Sequence, residues 1–183
     1  MLVGLMGCSA QSSEINDFNK LGDLTKQLNF SAKCVSGFSN GFLFAVADIM
    51  ENELLLCYKN PQTAETINCY MKAAPETAEP LPPNTQQWQE GDVLFTFYQF
   101  DYKFVPPDYE ETEEDTAAVN AGSLQLAWGS SEVEEHIIQG VVWQEDDVRY
   151  MLSGMDLTLT ADEMLDMAAQ IVNSDNQKEI LAN

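Results

Sequence analysis

The run from Val141 to Val172, VVWQEDDVRYMLSGMDLTLTADEMLDMAAQIV, constrains the fold more than any other stretch. Its second half marks a helix start. Thr160 stands three residues before Glu163, the spacing at which each side chain satisfies the other's orphan backbone N–H. Leu159 and Met164 fit the hydrophobic staple around that box. Asp162 and Glu163 suit the positive end of the helix dipole. Met164, Leu165, Ala168, Ile171 and Val172 then recur at helical spacing, with Asp162, Asp166, Gln170 and Asn173 on the outer side. The first half alternates as a half-buried hairpin through Val141, Trp143, Val148, Tyr150 and Leu152. A two-residue turn at Glu145-Asp146 sets Trp143 opposite Val148 and Val141 opposite Tyr150, and Ser153-Gly154 ends the strand.

Upstream, most of the chain reads as further strands. Phe18, Leu21, Leu24 and Leu28 predict a short amphipathic helix over 18–29. Residues 30–41 form a loop. FLFAVADIM, Phe42 to Met50, is apolar on both faces and reads as a central strand. Glu51-Asn52 is a turn, and Leu54–Asn60 and Thr66–Ala73 form a hairpin around Pro61. AAPETAEPLPPN, with four prolines, is neither helix nor central strand. It makes residues 74–88 a candidate subdomain boundary. Asp92–Phe104 is an aromatic strand, and PPDYEETEEDTAAVNAG, 106–122, an acidic loop. Ser123–Trp128 and Val133–Trp143 are strands around a Gly129-Ser130-Ser131 turn. Residues 173–183 form a polar tail. The expected fold is α+β: an antiparallel meander with an N-terminal and a C-terminal helix, the latter packed on one sheet face. With 183 residues, 45 % of them apolar, the chain suffices for a single domain over 17–183 with a sizeable core.

Met1–Gln11, MLVGLMGCSAQ, ends its apolar run in Leu5-Met6-Gly7-Cys8. This resembles a bacterial lipobox, whose cysteine takes a diacylglycerol. Residues 1–16 then read as a shortened lipoprotein signal and tether, with Cys8 the lipidation site. No segment approaches the ~20 apolar residues of a membrane span, so the expected membrane contact is the lipid anchor alone. A second resemblance rests on Trp143, the acidic turn after it, Tyr150, Leu152, Gly154, Leu157, Thr160, Glu163, Met164, Leu165 and Ala168. Together with Leu28-Asn29-Phe30, Gly41-Phe42 and Tyr58-Lys59-Asn60, these resemble a domain of unknown function. That domain is found in Gram-positive bacterial lipoproteins and in outer portions of anti-sigma-factor-like membrane proteins. The resemblance implies an extracytoplasmic, membrane-anchored α+β domain and brings no catalytic chemistry to any residue.

The net charge is −22, and between Ala73 and Val148 one cation, Lys103, faces seventeen acids. Such a field excludes nucleic acid, whose phosphates are held by Lys and Arg, and disfavours anionic lipid. It suits the solubility of an exported protein or a basic partner.

Candidate chemistry is sparse. Gly37-Phe38-Ser39-Asn40-Gly41 matches a nucleophile elbow in letters, but a strand-like run follows it where the elbow needs a helix. His136 is the single histidine and reads as a strand residue beside Glu134. No metal-ligand spacing and no cofactor motif occurs. If the 54–73 hairpin turns about Thr63, Cys57 faces Cys69 as a thiol pair or a disulfide. The acids of 108–115 lack the spacing of a calcium loop. The expectation is therefore a non-enzymatic binding or sensing module for an envelope protein. The alternative is a carrier of a lipid or other apolar small molecule in a cavity between sheet and helix, lined by Phe95, Phe97, Trp143, Tyr150 and Met164.

Overall fold

The computed structural model describes residues 15–75, 81 and 85–174. Its architecture is α+β, with one eight-stranded sheet and three short helices. A 3₁₀ turn, Phe18–Lys20, leads into α1, Leu21–Thr25. The strands are β1, Leu43–Met50; β2, Glu53–Lys59; β3, Thr66–Ala73; β4, Thr85–Glu90; and β5, Val93–Val105. Helix α2, Glu113–Ala121, is followed by β6, Leu124–Trp128; β7, Glu134–Glu145; β8, Val148–Met155; and α3, Ala161–Val172.

The strand order is β1-β2-β3-β8-β7-β5-β4, with β6 paired to β5 on the side of β4. This is not the simple meander. The hairpins β1-β2-β3, β4-β5 and β7-β8 are sequential, but β8 closes on β3 and β7 on β5. The β5-β6 pair is parallel, Asp101 opposite Leu124 through Val105 opposite Trp128. A parallel return needs a crossover, usually a helix. The acidic stretch 106–122, expected to be a loop, contains that helix.

Strand alternation builds the interior. Leu54, Leu56 and Tyr58 of β2 and Ile67, Cys69 and Met71 of β3 are all fully buried. They share a cluster with Val141, Trp143, Tyr150, Leu152, Phe95 and Phe97, and with Leu21, Leu24, Phe38 and Phe42 from the N-terminal segment. Helix α3 contributes Met164, Met167, Ala168 and Ile171 to the same cluster. Its Thr160 N-cap and Glu163 form the reciprocal capping box.

Two registers differ from expectation. The 145–148 turn lies at Asp146-Asp147, so Trp143 pairs with Tyr150 and Val141 with Leu152. Asp146 takes φ 51° there, a left-handed conformation that aspartate tolerates. The slip is two residues, so every side chain keeps its face, and the Trp143 and Tyr150 rings stack at 4.9 Å, 3° from parallel. In the 59–66 hairpin, Leu56 faces Cys69 and Cys57 faces Asn68. That is a one-residue shift, which sends the two cysteines to opposite faces. Cys34, Cys57 and Cys69 are thiols.

Candidate functional site

At one end of the sheet, β5, β6 and β7 run past the end of β8, and two polar clusters meet there. The first is built on α2. Thr112 caps the helix, its Oγ1 accepting from Asp115 N at 3.0 Å. Asp115 Oδ2 accepts in return from Thr112 N at 3.1 Å and Thr112 Oγ1 at 2.9 Å. It also accepts from the Tyr109 hydroxyl at 2.5 Å. The remaining oxygen, Oδ1, accepts from Lys103 Nζ at 2.6 Å. Asp115 is only 3 % exposed, and both of its carboxylate oxygens have donors, as a buried carboxylate requires. The Lys103 hydrogen bond, then those of Tyr109 and Thr112, hold its carboxyl far below the usual carboxylate range. Gly122, at φ 75°, ends the helix as a left-handed C-cap.

The second cluster surrounds His136. Its Nδ1 lies 2.6 Å from Asp156 Oδ2, and its Nε2 lies 3.6 Å from Glu134 Oε2. The Phe104 ring meets it edge-on at 5.9 Å. Asp156 is fixed by the backbone of β7: its Oδ1 accepts from Ile137 N at 2.8 Å, and its own N–H donates to Ile137 O at 2.8 Å. It takes φ 51° to do so. The Asp156 hydrogen bond raises the His136 pKa above its ordinary value, and the same bond lowers that of Asp156. A neutral imidazole carries one N–H, whereas this one has a carboxylate on each side, so the geometry favours the doubly protonated ring.

Residues of both clusters border one open cleft of about 640 Å³, among them Asp101, Lys103, Asp115, Glu135, His136 and Asp156. The cleft can hold positive charge through Asp101, Glu114 and Glu135, and His136, its pKa raised by the Asp156 hydrogen bond, lines the same cleft. Among the described residues no group of three or more His, Cys, Asp or Glu is arranged to hold a metal ion.

The residues expected to line an apolar cavity come together elsewhere. Phe95, Trp143, Tyr150 and Met164 are at most 2 % exposed and Phe97 is 6 % exposed, all in the shared core. Phe95 packs on Trp143 with centroids 5.7 Å apart. The Tyr150 hydroxyl accepts from Lys33 N at 3.0 Å. Lys33 Nζ in turn donates to Glu145 Oε1 at 2.7 Å and to the Val172 carbonyl at 2.8 Å. Cys8 lies outside the described residues.

Ser39 and His136 hold separate partners. Ser39 N donates to Gln170 Oε1 at 2.9 Å, and Gln170 Nε2 donates to Ser39 Oγ at 3.0 Å. Strand β1 follows the glycine-flanked turn, so the strand-turn-helix context of a nucleophile elbow is absent there. Sequence reasoning missed Asp115 and Asp156. The Thr112-Glu113-Glu114-Asp115 capping box with Gly122 nine residues after the first turn opens is a readable signal for α2. Nothing local distinguishes Asp156.

Comparison of the chain with family models, curated proteins and solved structures returns no match.

Proposed function

We propose that this chain is the folded part of an extracytoplasmic lipoprotein and acts as a non-enzymatic binding or sensing module. In this reading Cys8 carries the lipid, and the α2-β6-β7 end of the sheet meets an envelope protein. One observation carries the choice of surface. Trp128 (52 % exposed), Val133 (45 %) and Ile137 (40 %) share one face of the sheet at the end that bears the acidic cleft. Exposed apolar surface rimmed by polar groups marks interaction sites. The separate engagement of Ser39 and His136 supports a role without a nucleophile. The lipobox-like Leu5-Met6-Gly7-Cys8 run supports the address.

Two experiments test it. Cys8→Ala releases the full-length protein from the membrane fraction, and unchanged fractionation overturns the anchor. A photo-crosslinking residue at Trp128 captures a discrete envelope protein in cells, whereas one at Leu43, equally exposed at 53 % but on the opposite edge strand, does not. Equal capture from both positions, or none, overturns the surface.

A further inference from the structure

Strand β7 is longer than the strand beside it. Their pairing ends at Ile138 opposite Met155. Asp156 makes one further step in the same lane, donating its N–H to Ile137 O, and then turns away at φ 51°. By Thr158 the chain has left the sheet, its N–H donating to Glu65 Oε1 at 2.5 Å. Ile137 therefore points its N–H and C=O into the lane of β8. Along an antiparallel strand such groups alternate sides, so those of Glu135 point the same way, while His136 and Glu134 pair with Tyr102 and Phe104 of β5. Among the described residues no backbone group fills the lane beside Glu135. The Asp156 carboxylate already stands in for a strand by accepting the Ile137 N–H.

Open edges of this kind pair with extended peptide. The chemistry around this one selects the peptide. On one side of the strand Val133 and Ile137 are 45 % and 40 % exposed. Glu132, Glu134 and Glu135 add negative charge; Lys103, the one lysine or arginine between Ala73 and Val148, is already held by Asp115 and lies 3.6 Å from Glu135, and the His136 ring is held by Asp156 and Glu134. Another acidic chain, including a second copy of this one at net charge −22, is repelled, and a basic segment is attracted.

We propose that the β7 edge from Val133 to His136 takes up an extended segment of a partner protein in which apolar residues alternate with lysine or arginine. The segment continues the lane of β8 and pairs with the free N–H and C=O of Glu135. This rests on the reading of the chain as a binding module and names the site and the partner's chemistry.

The test titrates the isotope-labelled chain with three capped peptides: Lys-Val-Lys-Val-Lys-Val, Glu-Val-Glu-Val-Glu-Val, and Lys-Pro-Pro-Pro-Pro-Lys, whose four inner residues have no N–H. The first shifts the amides of residues 133–137 and Asp156 and slows hydrogen exchange at Glu135 by at least about tenfold. Its affinity falls with salt, as attraction between exposed charges does. The other two leave Glu135 exchange unchanged, one by charge and one for want of N–H groups. Glu135→Pro removes the donor facing the lane and abolishes binding of the first peptide. If that variant does not fold, Glu135→Gln with Glu134→Gln weakens binding by several-fold. Equal protection by the proline peptide, or shifts elsewhere on the molecule, overturns the edge assignment and leaves the binding-module reading standing. Absence of shifts with all three peptides, with capture at Trp128 retained, does the same. Loss of both sinks the two together.

Discussion

His136 is the residue through which pH acts most directly on this fold. Its partners are the carboxylates of Asp156 and Glu134, with Tyr102 opposite in register, Phe104 against the ring, and Lys103 and Glu135 on the neighbouring residues of the pair. Its pKa in the folded chain is raised from about 6.5, first by Asp156. A raised basic pKa contributes stability that is complete below the unfolded value and is lost as pH climbs through the folded one. The expected outcome is a decline in stability from about pH 6.5 upward, absent in His136→Asn. Because the chain has one histidine, a single imidazole resonance reports the titration without assignment. A midpoint at or below 6.5 in the folded protein refutes the clamp. Asp156 acts on the other limb: its lowered pKa contributes stability above the ordinary carboxylate range, lost only in acid.

Helices α2 and α3 begin with the same device and are held by different forces. Both have a threonine N-cap with an acid three residues on. Helix α3 adds an apolar stripe through Met164, Met167, Ala168 and Ile171, which is why its start and its buried side were legible from sequence. Helix α2 has no such stripe. The one residue it buries is Asp115, and what attaches it to the sheet is an ion pair with Lys103. Hydrophobic periodicity cannot see a helix docked by charge, so 106–122 reads as a loop. Thr160→Ala costs about 1 kcal/mol through the lost cap, measured as a lower denaturant midpoint with unchanged slope. An unaltered midpoint shows that α3 starts elsewhere. Lys103→Met leaves the buried Asp115 carboxylate without its charged partner. Unsatisfied buried groups cost about 1–3 kcal/mol, more when charged. The expected result is that loss together with accelerated hydrogen exchange confined to residues 112–121. Uniform acceleration across the sheet speaks against a local role for the pair.

At the scale of the whole molecule, what was legible follows from what is local. The hairpins β2-β3 and β7-β8 show in alternation, and turn residues locate them to within one or two positions. The closing of β8 on β3 and β7 on β5 depends on contacts far apart in sequence and leaves no local mark. Strand β4, TQQWQE, is an edge strand exposed nearly throughout, so it lacks the apolar partner that makes alternation visible. Charge, by contrast, is legible as a total and opaque in its placement. The described cations are largely committed: Lys103 to Asp115, Lys33 to Glu145, Lys72 to Glu53 and Lys26 to Asp23. Thirty acids against eight basic residues then leave most carboxylates facing one another, and compaction is opposed by that repulsion. Screening falls on this long-range term first. The Debye length shrinks from about 30 Å at 0.01 M to about 8 Å at 0.15 M. The Lys103–Asp115 pair, with side chains 17 % and 4 % exposed, is screened much less. The Lys26–Asp23 pair, 67 % and 78 % exposed, is one whose loss costs little. Sodium chloride added over that range therefore raises Tm, by about 2–4 °C for each kcal/mol of repulsion removed. A Tm that falls with salt would mean that local ion pairs outweigh the repulsion of the surface acids.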